Sequence, residues 1–313
     1  MESIADKVAC ITGGDSGIGL GIAQALIRAG ARIAITYRSD AHLKEAMTAL
    51  ATHKDRVHAI KADVADRTAM IAAAAETVQV FGKVHILINN AGVAPLVPLN
   101  SATFEDFDWC MNVNVQGVFN GIRAFLPHIR AHNEGGHIVA TASMLGGVVV
   151  GPFWGVYSTS KFAVVGMMEA LRSELLGSNI GVSVFCPGGV KSNIGSSKRN
   201  RPAELAASGI SDPQVMALME PFATAFAKIK AEDPDGSALM EPVQAGEIVL
   251  AGIRNNDLYI LSHPEYEAVI RERSDALLAS LPTQSPPPSA SRLAMARLAH
   301  TPIYSNEIKR RKA

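Results

Sequence analysis

Tyr157 and Lys161 are the pair of residues whose types and spacing most suggest chemistry. They are four residues apart at the start of an apolar periodic stretch that predicts a helix from Tyr157 to Leu176. Residues four apart share one face of a helix. An ammonium beside a phenol favours the phenolate, so we expect Lys161 to lower the pKa of Tyr157 from about 10. Such a tyrosine can serve as a general acid and base. Taken alone, the pair is more typical of a solvated helix turn.

Two further polar residues lie where a reaction could use them. Ser143 follows the apolar run His137 to Ala142, which predicts a strand, and it precedes Tyr157 by fourteen residues. Asn114 lies inside a long helical pattern from Phe104 to Arg130. Asparagine is mildly unfavourable in a helix interior, which suggests a role there, although a side chain facing solvent is the alternative.

A glycine-rich segment near the N-terminus predicts a phosphate-binding turn. Gly13, Gly17 and Gly19 lie between a predicted strand and a helical pattern from Leu20 to Ala29. Glycines let the backbone approach a phosphate, and the helix N-terminus supplies N–H donors and a positive dipole end. The alternative is a glycine-rich turn that binds no ligand. The order strand, turn, helix favours a dinucleotide site.

The residues after the next strands suggest which dinucleotide is bound. Arg38 follows the second strand, where a guanidinium can grip a 2′-phosphate and so favours NADP, although a solvated arginine is the alternative. Asp63 follows the third strand and either accepts from the adenine amino group or caps the next helix, Arg67 to Phe81. Asn90-Ala91-Gly92 follows the fourth strand, at the edge where open α/β sheets bind ligands.

Composition excludes several classes of protein. The chain has 313 residues, 48% of them hydrophobic, and a formal net charge of zero, which gives no support for nucleic-acid binding. We find no run long enough to span a membrane and no N-terminal signal peptide. Three widely spaced cysteines indicate buried free thiols, so we expect a cytoplasmic protein. The nine histidines are scattered, and we predict no metal site.

Alternation of strands and helices predicts an α/β fold with one doubly wound, Rossmann-type parallel sheet of about seven strands. The expected strands are Lys7 to Thr12, Arg32 to Thr36, Val57 to Ala62, Val84 to Ile88, His137 to Ala142, Gly181 to Phe185 and Leu258 to Leu261. Residues 1–281 form the expected dinucleotide-binding catalytic domain, in which 191–245 is a candidate substrate lid. Residues 282–313 are expected to form a proline-rich linker and a tail whose basic end is solvated.

In this order the motifs resemble the short-chain dehydrogenase/reductase family over about residues 5 to 262. The matching residues are Thr12, Gly13, Gly17, Ile18, Gly19, Asp63, Asn90, Ala91, Gly92, Asn114, Ser143, Tyr157, Lys161, Pro187 and Gly188. The resemblance implies a catalytic tetrad of Asn114, Ser143, Tyr157 and Lys161. It also implies cofactor contacts from Ser16, Arg38, Val64, Val190 and Ser192 in addition to the motif residues.

That resemblance implies reversible hydride transfer between a nicotinamide cofactor and a secondary alcohol or ketone. Tyr157 would be the acid/base, Lys161 would hold the cofactor ribose, Ser143 would bind the substrate oxygen, and Asn114 would position a water. NADP(H) is expected over NAD(H), which stays possible because the glycine loop lacks the basic residue that many relatives carry. A homodimer or homotetramer is also expected.

The substrate and the reaction leave alternatives open. Segments such as Phe104 to Trp109 resemble bacterial enzymes that oxidise benzylic alcohols of lignin-derived aryl ethers. Apolar residues of the lid also favour a bulky apolar or aromatic small molecule, although they could form lid core or a dimer face; these residues are Ile194, Ile210, Met216, Met219, Phe222 and Phe226. Gly146 to Val156, with Phe153 and Trp154, is expected to form another wall of the pocket. The alternatives are a catalytically silent dinucleotide-binding regulatory protein and a non-redox reaction, such as epimerisation or dehydration, on the same fold.

Overall fold

The architecture is one parallel β-sheet with helices on both faces. A computed structural model describes residues 1, 3–205, 213–282, 289–298 and 300–312, apart from the side chains of residues 218, 226 and 230. Within these residues the sheet has seven strands in the order β3-β2-β1-β4-β5-β6-β7. The strands are β1 Val8–Ile11, β2 Arg32–Tyr37, β3 Val57–Lys61, β4 Ile86–Asn89, β5 Gly136–Thr141, β6 Ile180–Cys186 and β7 Tyr259–Leu261. The prediction of a doubly wound α/β fold is confirmed.

Central strands of this sheet are mostly apolar because helices cover both of their faces. Every residue of β1, β4 and β5 is buried. Each predicted strand is present, with its bounds shifted by no more than two residues. Parallel pairing places all seven carboxyl ends at one edge, and the order reverses between β1 and β4, where such sheets bind ligands.

Helices connect the strands and cover the sheet. They are α1 Gly17–Arg28, α2 Asp40–Ala49, α3 Arg67–Phe81, α4 Phe104–Met111, α5 Gly117–Ala131, α6 Gly155–Glu174, α7 Pro213–Glu232, α8 Pro242–Asn255, α9 Glu267–Ala279, α10 Ala290–Leu298 and α11 Ile303–Lys312. The N-cap of α3 is Asp66, whose carboxylate accepts from the backbone of Thr68 and Ala69. Asp63 is therefore not the cap, which corrects that alternative. Among the described residues, no helix is both long and apolar enough to cross a bilayer.

The long helix predicted from Phe104 to Arg130 is interrupted. Between α4 and α5, residues Asn112–Gln116 form a π-helical segment in which the Gly117 N–H bonds to the carbonyl of Asn112, five residues earlier. Asn114 lies at the middle of this segment. Single π-helical turns inside α-helices are frequent at functional sites.

Helix α8 was not predicted, and only its first four residues, 242–245, fall within the candidate lid. It packs backbone to backbone on α1. A Cβ added at Gly21 would lie 1.9 Å from the carbonyl oxygen of Pro242, and one at Gly246 would lie 2.2 Å from that of Gly21. Glycine at both positions is what permits this close approach.

The C-terminal helix α11 is docked against the edge strand β7. Ile303 is 3% exposed. A carboxylate oxygen of Glu307 accepts from the Leu258 N–H at 2.9 Å, and Arg311 donates to the Tyr259 carbonyl at 2.7 Å. Side chains of the helix thereby satisfy backbone groups next to and within the last strand.

Two arginines of the basic C-terminus also take part in this docking. Arg310 and Arg311 both form ion pairs with Asp257, which is 4% exposed. Each also pairs with Glu307 on the same helix. The expectation that this basic cluster is merely solvated is therefore wrong for these two residues, because acidic partners beside β7 hold them.

Candidate active site

A cavity of about 550 Å³ opens at the carboxyl ends of the strands and gathers most of the predicted site residues. Three of the four tetrad residues, Ser143, Tyr157 and Lys161, line it. The predicted cofactor-binding residues that line it are Gly13, Ser16, Gly17, Ile18, Arg38, Asp63, Val64, Asn90, Ala91, Gly92, Tyr157, Lys161, Pro187, Gly188, Val190 and Ser192. Gly19 and Asn114 are not among the lining residues and lie behind the wall.

The glycine loop has the backbone geometry that its sequence requires. Gly13 and Gly17 have φ values of +60° and +48°, a region that favours glycine. The Gly13 N–H donates to the Thr36 hydroxyl at 3.2 Å. A Cβ at Gly19 would lie 2.2 Å from the Gly13 carbonyl oxygen. Gly19 therefore allows α1 to pack beneath the loop, and its contact with the cofactor stays a prediction.

Asn90 joins the glycine loop to the end of β4. Its side-chain nitrogen donates to the carbonyl oxygens of Thr12 and Gly13 at 3.2 and 3.3 Å. The Thr12 hydroxyl accepts from the backbone N–H of Asn90 and of Ala91, at 2.9 and 3.0 Å. These bonds fix the loop that follows β1 against the loop that follows β4, so both sides of the cavity are held together.

At one end of the cavity, Arg38 and Asp63 form an ion pair. The Arg38 Nε lies 3.3 Å from a carboxylate oxygen of Asp63, and the arginine side chain is 44% exposed. Asp15 and His42 line the same end and were not predicted as site residues. Burial raises the pKa of Asp15. Asp15 lies inside the glycine-rich segment, whereas no motif marks His42, which only the fold brings over the glycine loop as part of α2.

The other end of the cavity holds Tyr157, Ser143 and Lys161. The Lys161 ammonium donates to the Thr141 carbonyl oxygen at 2.8 Å and lies 5.6 Å from the centroid of the Tyr157 ring. Lys161 is 3% exposed and Tyr157 is 9% exposed. The predicted helix spacing therefore does place phenol and ammonium side by side.

The predicted fall in the pKa of Tyr157 is not found. Burial raises the pKa of Tyr157 to about 12, although a hydrogen bond with Ser143 opposes the rise. Burial also lowers the pKa of Lys161 to about 8, so its charge is itself disfavoured. Burial is the largest cause of both shifts, because it disfavours the charged form of each group.

Asn114 is fully buried and its amide is fully used by the protein. Its Oδ1 accepts from the Val93 N–H at 2.8 Å, and its Nδ2 donates to the Val93 carbonyl and to the Ser160 hydroxyl, both at 2.9 Å. The side chain thus holds the segment after β4 against α6. Neither amide hydrogen is left for the predicted water, whose positioning by Asn114 stays a prediction.

The expected substrate walls are only partly in place. Trp154 lines the cavity, with its ring edge-on to Tyr157 at 5.5 Å between centroids. Phe153 does not line it; it adopts φ +64° and its ring lies 5.4 Å from that of Phe222 in α7. This contact joins the predicted wall to the lid helix.

The segment predicted as a lid, residues 191–245, reaches the cavity with its first residues. Ile194 lines the cavity, as do several residues between Ser192 and Asn200, whereas no described side chain of α7 does. The Ser197 hydroxyl accepts from the Ala94 N–H at 3.0 Å and secures this segment. Met216 is 57% exposed. Ile210 and the side chain of Phe226 lie outside the described residues.

Arg201 anchors the same segment to α4. Its guanidinium pairs with the Asp106 carboxylate at 2.5 Å and lies 5.1 Å from the ring centroid of Trp109. All three side chains are about nine-tenths buried or more. Breaking a buried pair by removing one partner is strongly destabilising, so this anchor holds the lid segment close to the cavity.

Among the described residues, one group of side chains has the spacing of a metal site: His85, His132 and Glu134. The Val8 N–H donates to the Nδ1 of His85, and the Glu134 N–H donates to the Nδ1 of His132. Each Nε2 must then carry a proton, which His85 directs to Glu134 and His132 to the Val84 carbonyl. Because both ring nitrogens of each histidine are already used, the hydrogen bonds account for the group without a metal.

Comparison with known proteins identifies the family. The sequence profile described as short chain dehydrogenase matches residues 7–203, and the chain therefore belongs to the short-chain dehydrogenase family, as predicted. A C alpha-dehydrogenase of Sphingobium sp. (strain NBRC 103272 / SYK-6) is 35% identical over 292 residues, which are 93% of this chain and 92% of that protein.

Solved structures of the family share the fold. A short chain dehydrogenase/reductase from Burkholderia phymatum in complex with NAD has a TM-score of 0.80 and 30% identity, covering 92% of this chain and all of that one. One from Burkholderia cenocepacia J2315 in complex with NADP has a TM-score of 0.63 and 26% identity, covering 82% of this chain and 95% of that one. The chain is thus an oxidoreductase of this family with a Rossmann-type sheet.

Proposed function

We propose that this oxidoreductase transfers a hydride reversibly between NADP(H) and a secondary alcohol or ketone with a bulky apolar or aromatic substituent. The observation that carries the proposal is the convergence of Ser143, Tyr157 and Lys161 with the glycine loop on one cavity. A protein that only senses a dinucleotide has no need of these three side chains together.

The residues of the cavity fit a dinucleotide. Gly17 adopts positive φ, and a Cβ there would lie 3.0 Å from the Ser192 side chain, so the glycine keeps the space between loop and lid open. The cavity extends from the Arg38 guanidinium at its mouth to the buried phenol of Tyr157. Helix α1 begins at Gly17 and directs its free N–H groups at this space.

The bound nicotinamide would supply the hydride acceptor or donor. Tyr157 would take the proton of the alcohol during oxidation and return it to the carbonyl oxygen during reduction. Ser143 would hydrogen-bond the same oxygen and stabilise its developing charge. Lys161, held by Thr141, would bind the ribose and place positive charge beside the phenol.

The preference for NADP rests on Arg38. Its guanidinium lies at the cavity mouth, where it can leave Asp63 and meet a 2′-phosphate with two hydrogen bonds. Relatives with solved structures bind NAD in one case and NADP in another. The proposed preference for NADP therefore depends on the positive charge of Arg38.

The likeness to a C alpha-dehydrogenase supports dehydrogenation as the reaction. Trp154, beside the phenol of Tyr157, offers an aromatic wall. We also propose a homodimer or homotetramer, supported by the exposed apolar side chains of Phe104 and Phe119 on α4 and α5. Three buried free cysteines support a cytoplasmic location.

The test is nicotinamide absorbance with NADPH or NADH against aryl, steroid and aliphatic ketones. We expect oxidation of NADPH with at least one aryl ketone. Turnover of a substrate without net oxidation or reduction of nicotinamide would contradict the proposal. So would tight NADPH binding with no turnover across the panel.

A further inference from the structure

A second, more open cavity of about 350 Å³ adjoins the first. Gly189 and Leu239 line both cavities, so the leucine side chain, itself 42% exposed, stands between them. Its other lining residues are Ala238 and four residues that follow β7, namely His263, Glu265, Tyr266 and Val269. The cavity lies beside Gly188, a predicted cofactor-binding residue whose N–H donates to His263.

The hydrogen bonds of His263 define which ring nitrogen is free. The Gly188 N–H lies 3.1 Å from Nδ1 of His263 and 3.2 Å from the Ser262 hydroxyl, which is itself 2.6 Å from Nδ1. A backbone N–H can only donate, so Nδ1 is the acceptor and the neutral ring carries its proton on Nε2. Among the described residues, Nε2 has no hydrogen-bond partner, which leaves one donor beside the cavity.

The rest of the lining indicates an uncharged ligand with an apolar body. Leu239 and Val269 are aliphatic, and the ring of Tyr266 stands edge-on to that of His263 at 6.5 Å between centroids. Glu265 also lines the cavity and would repel a carboxylate or phosphate. A donor, an aromatic ring and aliphatic walls together suit an aromatic group that carries an oxygen acceptor, such as an ether.

We propose that this second cavity, lined by Gly189, Leu239, His263, Glu265, Tyr266 and Val269, is a specificity subsite for the far end of the substrate. It takes an uncharged aryl group with an ether or carbonyl oxygen, which passes Leu239 and accepts a hydrogen bond from Nε2 of His263. The inference rests on the proposed ketone and alcohol chemistry of the first cavity and extends it to a substrate that spans both.

The experiment compares two ketones in the Val269→Trp variant, which fills the second cavity. Acetophenone has a single ring and should occupy the first cavity alone, whereas 4-benzyloxyacetophenone carries a second ring on an ether oxygen and should enter both. We expect the ratio of kcat/KM for the long ketone to that for the short one to fall at least about fivefold, since a single methylene can change discrimination tenfold or more. Ala268→Trp is the matched control, because Ala268 is exposed on the same helix and lines neither cavity.

A change of ligand tests the hydrogen bond. Replacing the ether oxygen by CH₂, in 4-(2-phenylethyl)acetophenone, should lower kcat/KM about three- to tenfold in the wild-type protein, the effect of one net hydrogen bond. If the wild type, Val269→Trp and Ala268→Trp all reduce acetophenone and discriminate equally between the long and short ketones, the subsite is refuted and the proposed function stands.

If no ketone is reduced, the proposed function fails, and binding alone decides the subsite. Saturation-transfer NMR with 4-benzyloxyacetophenone should then show transfer in the wild type and Ala268→Trp and loss of transfer in Val269→Trp. Equal transfer in all three proteins would overturn the subsite.

Discussion

The side-chain nitrogen of Asn114 donates a hydrogen bond to the hydroxyl of Ser160 at 2.9 Å. Ser160 donates onward to the Tyr157 carbonyl oxygen at 2.7 Å. Asn114 and Ser160 are both fully buried. The π-helical segment is thus connected through a single serine to the backbone of the tyrosine on which the proposed chemistry depends.

Ser160→Ala should lower kcat and stability together. The change leaves a buried amide hydrogen of Asn114 without an oxygen acceptor, which costs about 1–3 kcal/mol. We expect a similar loss of unfolding free energy in urea and a fall in kcat of about tenfold, because Tyr157 loses its fixed position. Thr159→Ala is the control, since Thr159 is exposed and its hydroxyl bonds only to the Gly155 carbonyl within α6. Equal kinetics in both variants would show that the connection does not position Tyr157.

Tyr157→Phe should reduce kcat/KM by about 10²- to 10⁴-fold, because proton transfer of this kind contributes that much. Binding of NADPH, measured by fluorescence, should remain. Tyr304→Phe is the matched control, since Tyr304 lies on α11 and its hydroxyl bonds only to Glu169. Retention of more than about a tenth of the activity in Tyr157→Phe would refute the acid/base assignment.

Lys161→Met should stabilise the protein at neutral pH while abolishing activity. Burial lowers the pKa of Lys161 from 10.5 to about 8, so the protonated side chain destabilises the fold at pH 7 by about 3 kcal/mol. Loss of the hydrogen bond to Thr141 offsets about 1 kcal/mol of the gain. We expect a net gain on the order of 1–2 kcal/mol in denaturant unfolding.

The lowered pKa of Lys161 also determines how the stability of the wild-type protein changes with pH. Between the folded pKa of about 8 and the ordinary value of 10.5, the unfolded chain holds a proton that the folded chain has released. Wild-type stability from this group therefore rises with pH across that window. The advantage of Lys161→Met should shrink by more than half between pH 7 and about pH 9.5. An advantage that grows with pH would mean that Lys161 is stabilised as a cation.

Arg38→Ala should reduce the preference for NADP. Losing the guanidinium removes a bidentate partner for a 2′-phosphate and frees the Asp63 carboxylate, which would repel it. We expect the ratio of Kd for NADH to Kd for NADPH to fall at least about tenfold, measured by fluorescence. Lys44→Ala removes one positive charge from an exposed position on α2 and should leave the ratio unchanged. An unchanged ratio in Arg38→Ala would place cofactor selection elsewhere.

The sequence predicts the sheet well because its signals are local. Buried parallel strands are short apolar runs, and the glycine turn after β1 has few other interpretations. Helix α8 was missed because its local signals are few: the N-cap Glu241 with Gln244, and Pro242 at its first turn. Its glycines become informative only once α1 packs against the helix. Close packing of two backbones is a property of the pair of helices and has no local signature.

The sequence predicted where the reactive side chains lie, but it did not predict how burial shifts their pKa values. Helical spacing brought Lys161 to Tyr157, yet the opposite shifts of their pKa values come from burial by the surrounding strands and loops. His42 and the Arg201 to Asp106 pair went unnoticed for the same reason. Each depends on partners distant in sequence, and a single sequence carries no record of those partners.

The docking of α11 has a consequence for the order in which the chain is made. The Leu258 N–H and the Tyr259 carbonyl acquire their partners, Glu307 and Arg311, only after about fifty further residues have been synthesised. Until then the β7 side of the sheet is an open edge, able to pair with another nascent chain. A chain cut between β7 and α11 would keep the seven strands of the sheet yet leave this edge uncovered and prone to associate with other chains.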